Sequence, residues 1–253
     1  MAEIMKSILT NRILLTAAIL FLFMAGLRAD DQREFMESCR SGDTAKMATL
    51  LKANTNFLTL KGEEGWMPIH WAVLSREDKA VILLITRGAD VNVVNDRGHT
   101  PLHLAAFMDT PDIAERLIDK GAKIMARTDT AATPLHWCAY RDSSEVAELL
   151  ISKGSDINAT GEFDATPLHW AAQNGATNLI QVLLAHHAKT DLKTTAGKTA
   201  LELAEAGDTP EAADLLRKEQ PGQPPPAEPP VTPAVEAPQP AAATSDFQVI
   251  EYE

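Results

Sequence analysis

The chain has 253 residues, a net charge of −12, only 5% aromatic residues and two cysteines. Its length would suit one or two ordinary domains. So much negative charge argues against nucleic-acid backbone or an anionic membrane surface as a partner. Two cysteines provide no disulfide framework.

Residues 1–29 open with Lys6 and Arg12, followed by an apolar run from Ile13 to Leu27 broken only by Thr16 and Gly26. A run of about 15 residues suits the core of a secretory signal peptide better than a span of about 20. Leu27-Arg28-Ala29 offers a cleavage point after Ala29. Left uncleaved, the same run over 13–27 would be an N-terminal membrane anchor, and the sequence leaves both readings open.

Residues 31–61 show helical spacing of Phe35, Met36, Cys39, Met47, Leu50 and Leu51. This unit is expected to cap a stack. Asn54 stands where later units have Gly and is expected to adopt a left-handed conformation, which Asn tolerates.

A tetrapeptide then recurs. It reads Met67-Pro68-Ile69-His70, Thr100-Pro101-Leu102-His103, Thr133-Pro134-Leu135-His136, Thr166-Pro167-Leu168-His169 and a degraded Thr199-Ala200-Leu201-Glu202, at a step of 33 residues. Thr suits a helix N-cap and Pro the first helical position. Small and apolar residues follow, as in Leu104-Ala105-Ala106. A second helix closes with Leu83-Leu84 and Gly88, or Leu149-Leu150 and Gly154, and Gly fits the left-handed position beyond a helix end. His187 replaces that Gly in the fourth unit. Each unit is thus predicted as helix, turn, helix and an extended segment, and it buries its apolar face only by stacking.

The period and the T-P-L-H-x-A pattern resemble the ankyrin-repeat family over residues 31–218. The fold this implies is an all-α ankyrin-repeat solenoid of helix-turn-helix units with β-hairpin-like turns. Its parts would be a cap at 31–61, repeats at 62–94, 95–127, 128–160 and 161–193, and a cap at 194–218. From 219 to 244 the chain is rich in Pro and Ala, with nine prolines in 221–240, which is the composition of an extended linker. Residues 245–253 regain Phe247, Val249, Ile250 and Tyr252, and the sequence leaves open a disordered end with no task or a short docking strand.

No nucleophile elbow, phosphate loop, dinucleotide fingerprint or zinc-ligand spacing is found, so no catalysis, cofactor or metal is expected. Equivalent histidines in successive repeats should stand roughly 8–10 Å apart, too far to share an ion bound at about 2 Å. They are read as hydrogen-bonded links between repeats. The pair His186-His187 is read as structural or solvated, since a metal there would need further partners. Cys39 and Cys138 lie too many repeats apart to bridge and are read as buried thiols. Trp71, Trp137 and Trp170 share one position, read as an aromatic ladder between repeats. The sequon Asn158-Ala159-Thr160 is read as a turn, because Asn92 occupies the same place without one.

The resemblance implies a protein partner held by turn tips and inner helices on a concave face. Carried onto this chain, the partner-binding residues are Trp66, Arg97, His99, Phe107, Met108, Tyr140, Arg141, Phe163 and Gln173, with the hot spot at Phe107, Met108 and Tyr140. Ala131 and Asp164 stand where Gly65, Gly98 and Gly197 sit in other turns, which puts the finger geometry of the third and fourth repeats at issue. The expected protein is an exported, monomeric, non-catalytic interaction scaffold, periplasmic or secreted. The alternative is a membrane-anchored adaptor organising an envelope complex.

Overall fold

The structure is a computed structural model in which residues 30–219 are described. The signal or anchor segment, the linker beyond residue 219 and the terminal peptide 245–253 lie outside the described residues.

Residues 30–41 form helix α1. It is followed by α2 (Thr44–Ala53), α3 (Pro68–Leu74), α4 (Asp78–Thr86), α5 (Pro101–Met108) and α6 (Pro111–Asp119). Then come α7 (Pro134–Trp137), α8 (Ser144–Ser152), α9 (Pro167–Asn174), α10 (Thr177–Ala185), α11 (Ala200–Ala206) and α12 (Pro210–Lys218). No β-strand occurs among the described residues. The predicted all-α solenoid is what the chain forms.

The inner helices α3, α5, α7, α9 and α11 pack in sequence, and so do the outer helices α4, α6, α8, α10 and α12. Periodic columns of side chains explain the stacking. Leu51, Leu84, Leu117, Leu150, Leu183 and Leu216 recur at a step of 33 along the outer helices, and all are buried. Truncating one such leucine to Ala typically costs about 2–5 kcal/mol. The inner helices meet through a column of small residues, Ala72, Ala105, Ala171 and Ala204, which lets them approach closely. Cys138 fills the same column and Cys39 the slot beside it, both fully buried and unpaired. Burial pushes the Cys39 thiol up to about 12 and raises the Cys138 thiol as well. Both therefore behave as small hydrophobes, as the sequence suggested.

Four inner helices start at the proline of the tetrapeptide, with Pro at the first helical position. Thr100 adopts an extended conformation as N-cap and its hydroxyl accepts from His103 N–H. The last inner helix keeps this geometry with Glu in place of His. Glu202 Oε2 accepts from Thr199 N at 2.8 Å, and that bond is the main reason its carboxyl is held below its usual range. Among the described residues no further repeat follows, and the degraded motif keeps the cap and gives up the link.

Between each inner and outer helix lies one residue in the left-handed region: Arg76, Asp109, Asp142, Gly175 and Asp208, again at a step of 33. The aspartates explain why a non-glycine is tolerated there. Asp142 accepts from Leu179 N at 2.7 Å and from Asn178 N and Nδ2, so it caps α10 of the following repeat. Asp109 stands in the same place before α8, where burial raises its carboxyl and the backbone N–H of Val146 opposes part of that rise.

Two expectations for single turn residues fare differently. Asn54 is not left-handed: its φ is −153°, and its side chain accepts from Asn56 N to open a short 3-10 turn, Thr55–Thr59. Capping a following turn wins over closing the preceding helix. His187, by contrast, does adopt the left-handed conformation of the glycine it replaces, with φ 63°.

Candidate interaction surface

The surface is built on the histidines. In each of the second, third and fourth full repeats, His Nδ1 accepts from the backbone N–H of the Thr three residues before it. For His103 and His136 these distances are 3.2 and 3.1 Å. An N–H aimed at Nδ1 makes that nitrogen the acceptor and leaves the proton on Nε2. Nε2 then donates across the repeat boundary: His70 to His99 O, His103 to Ala132 O, His136 to Ala165 O and His169 to Leu192 O, at 3.0–3.1 Å. The first three carbonyls lie at the base of the next finger, so each histidine fixes where that finger stands. Both nitrogens are committed within the fold, and burial holds the rings neutral. His70 and His136 are lowered to about 4, His103 to about 3, and His169 is lowered too, in each case chiefly by desolvation.

The fingers are the turns before the inner helices. At their tips Gly65, Gly98, Ala131, Asp164 and Gly197 all have positive φ. Gly65 is constrained twice, since a Cβ there would come within 2.4 Å of Asp96 as well as straining the backbone. Ala131 and Asp164 keep the same left-handed turn at φ 56° each. The missing glycines therefore do not abolish the fingers, though L residues pay roughly 1–2 kcal/mol for this region. Backbone bonds join neighbouring fingers at Asp96 N to Glu64 O, Asp129 N to Arg97 O and Thr195 N to Phe163 O. Among the described residues no equivalent bond joins the third finger to the fourth. There Arg127 Nη1 donates to Ala131 O and to Thr160 O, at 3.1 and 2.8 Å, and bridges the two repeats instead.

Between fingers and inner helices runs a continuous series of rings. Trp71 contacts Trp66, with centroids 5.4 Å apart; Trp66 lies 6.4 Å from His99, and His99 lies 4.4 Å from Trp137. Trp137 meets Tyr140 at 5.8 Å, and Tyr140 meets Trp170 at 5.5 Å. Phe107 sits against both Trp137 and Tyr140, at 5.9 and 6.0 Å. The expected ladder of Trp71, Trp137 and Trp170 thus exists, but Trp66, His99 and Tyr140 are the rungs that connect it. Aromatic pairs at such spacings add about 0.5–1.5 kcal/mol each beyond their buried area.

The nine partner-binding candidates do not all face outward. Tyr140 is 51% exposed and Phe163 is 67% exposed, and these are the large apolar side chains that stand out on this surface. Arg141 and Gln173 are exposed, while Trp66, Arg97, Phe107 and Met108 are half-buried. His99 is the correction. It is 7% exposed, takes a bond between Nδ1 and Asn95 Nδ2 and lies under the ring of Trp137. It serves the packing of the ladder and offers no contact surface. The ladder spans four repeats and brings Trp66, Phe107 and Tyr140 together through ring contacts. Phe163, on the fourth finger, lies apart from it.

Sequence reasoning missed two residues of this face. Arg40 lies over the ring of Trp71 at 3.8 Å and extends the surface into the N-terminal cap. Its column was hidden because the cap carries one extra residue after the left-handed turn, between Gly42 and Leu51. The third inner helix also finishes as a 3-10 turn, Cys138–Tyr140, under the most exposed rung of the ladder. No sequence signal for that tightening stands out.

The asparagines on the opposite edge also have a structural task. Asn92 Oδ1 accepts from Lys123 N and Asn158 Oδ1 from Lys189 N, at 2.8 and 2.9 Å. Met125 fills the place between them, its sulfur facing Asp156 N at 3.3 Å. The sequon asparagine is therefore a clasp to the next repeat, as the comparison with Asn92 suggested.

A family model for ankyrin repeats matches residues 35–128, 79–161 and 135–224. The chain belongs to the ankyrin-repeat family. No curated protein matches it. Ankyrin repeats are in general protein–protein interaction modules. Among the described residues no helix is long and apolar enough to cross a membrane.

Proposed function

We propose that this ankyrin array is an exported, non-catalytic scaffold that holds a protein partner on the concave face formed by its fingers and inner helices. The observation that carries the reading is the ring series ending in Tyr140, a large side chain left 51% exposed beside half-buried Phe107. Exposed aromatics seated on a rigid base are the usual anchors of an interface. Binding residues here are Trp66, Arg97, Phe107, Met108, Tyr140, Arg141, Phe163 and Gln173. Against catalysis stands the use of the buried histidines, whose nitrogens are spent on holding repeats together.

Export is supported by the sequence alone, through Lys6, Arg12 and the apolar run that follows. The periplasm or the cell exterior is the compartment this implies. If the run is retained, the same array would be a membrane-anchored adaptor. Sequencing the N-terminus of the mature protein separates the two, because a start near Asp30 removes the anchor.

The test of the binding surface is the double substitution Phe107→Ala, Tyr140→Ala. Partner capture from the exported fraction should be abolished with the far-ultraviolet circular dichroism unchanged and unfolding still cooperative, while the lost ring pairs lower the melting temperature only in part. Melting that collapses together with capture would make these rings core and defeat the reading.

A further inference from the structure

Two positive points stand on the floor of this face in an otherwise acidic chain. Matching the left-handed turn residues Gly42 and Arg76 puts six side chains in one column along the inner helices: Arg40, Leu74, Phe107, Tyr140, Gln173 and Ala206. The neighbouring column runs from Ser41 to Gly207 and has Arg141 as its one charged member. These two columns thus carry two arginines and no carboxylate, with exposed Glu37 in the adjoining column of Trp71, in a chain of net charge −12. The fingers above them carry six carboxylates against Arg97 and Lys198, so the two arginines are local positive points beneath an acidic rim.

The two arginines are also held in an unusual way. Arg40 lies over Trp71 at 3.8 Å and Arg141 over Phe107 at 5.1 Å. Neither takes part in any ion pair among the described residues, whereas Arg33, Arg97, Arg116 and Arg217 do. A guanidinium stacked on a ring is restrained while its N–H edge stays open. That fork matches a carboxylate in two-point contact better than any other side-chain partner.

We propose that the floor of this face takes an acidic, apolar-anchored linear segment of a protein partner, with carboxylates meeting Arg40 and Arg141 and an aromatic or aliphatic side chain resting on Phe107 and Tyr140. The inference rests on the assignment of this face as the binding surface and adds the chemistry of what it binds. The negative charge of the chain as a whole works against random acidic partners. Selectivity then comes from the spacing of two local positive points around an apolar centre, which a merely acidic chain lacks.

The experiment is a selection of random linear peptides, displayed on phage, on the full-length chain. Enriched peptides should carry Asp or Glu close to an aromatic or leucine residue. A synthetic winning peptide, followed by fluorescence anisotropy, should bind at least about tenfold more weakly to the Arg40→Glu, Arg141→Glu variant, a change of about 1.4 kcal/mol. Repeating the selection on that variant should shift the winners toward Lys and Arg. Arg141→Gln, with unchanged circular dichroism, controls for folding. Winners that are basic or without charge preference, an empty selection, or acidic winners that bind the charge-reversed variant equally well would each overturn the inference. Winners insensitive to Phe107→Ala, Tyr140→Ala would instead show that the binding surface lies elsewhere. Basic winners lost in that double variant would leave the surface standing and remove only its preference for acid.

Discussion

Acid should dismantle this array through its histidines. In the folded chain His70, His99 and His136 are lowered to about 4 and His103 to about 3, each chiefly by burial. In the unfolded chain the same rings titrate near 6.5. The folded state thus favours the neutral ring, and its advantage is fully present above pH 6.5. It is lost as pH falls from 6.5 toward 4, because the unfolded chain takes up protons first. About 1.5 pH units below the unfolded value, the loss is about 2 kcal/mol for each histidine. Four such rings give a loss of several kcal/mol near pH 5, comparable with the whole stability of a typical domain, about 5–15 kcal/mol. Urea titrations followed by circular dichroism between about pH 7.5 and 5 should show a steep fall of the midpoint. The His136→Gln variant should start about 1–3 kcal/mol less stable, since it leaves a buried carbonyl short of its donor. Its stability should then fall more gently with pH, by about one proton. A midpoint flat over this range, or identical slopes for the two proteins, would refute the neutral-histidine ladder.

Three other outcomes follow from particular turns and slots. Ala131→Gly should stabilise the chain by about 0.5–1 kcal/mol, because relief of the left-handed strain exceeds the added freedom of the unfolded chain; a lower urea midpoint would contradict this. Met67→Thr should restore the hydroxyl that Thr100 and Thr133 present to their histidines, at 2.8 and 2.9 Å. It should raise stability by about 1 kcal/mol in the same titration. Asp142→Ala should cost about 1–3 kcal/mol through the lost cap on α10, and hydrogen exchange should show the first turn of α10 losing protection before the rest of the helix.

The sequence made the fold legible because stacking repeats one solution. The step of 33 places Leu84, Leu117 and Leu150 in a column before any coordinates are seen, and the T-P-L-H motif states its own cap. The histidine links and the buried thiols were legible for the same reason. Single residues that depart from the period were not. Asn54 answers to the turn after it, and Ala131 is carried by its neighbours in spite of its own preference. The turn aspartates were visible as Asp109, Asp142 and Asp208 at a step of 33 or its multiples, but the groups that Asp142 caps lie one repeat away. The candidate surface was legible as positions and less so as exposure. His99 occupies a tip position like the others, yet the ring of Trp137 covers it. Arg40 belongs to a column that one extra residue in the cap had put out of register.

The central claim is that a protein partner meets the inner helices at Tyr140. A photoreactive phenylalanine analogue placed at residue 140, and separately at exposed Glu148 on outer helix α8, tests this in the cell that makes the chain. On irradiation the account predicts a discrete protein adduct from position 140 and none from position 148. Adducts from the outer helix alone, or equally from both positions, would contradict it.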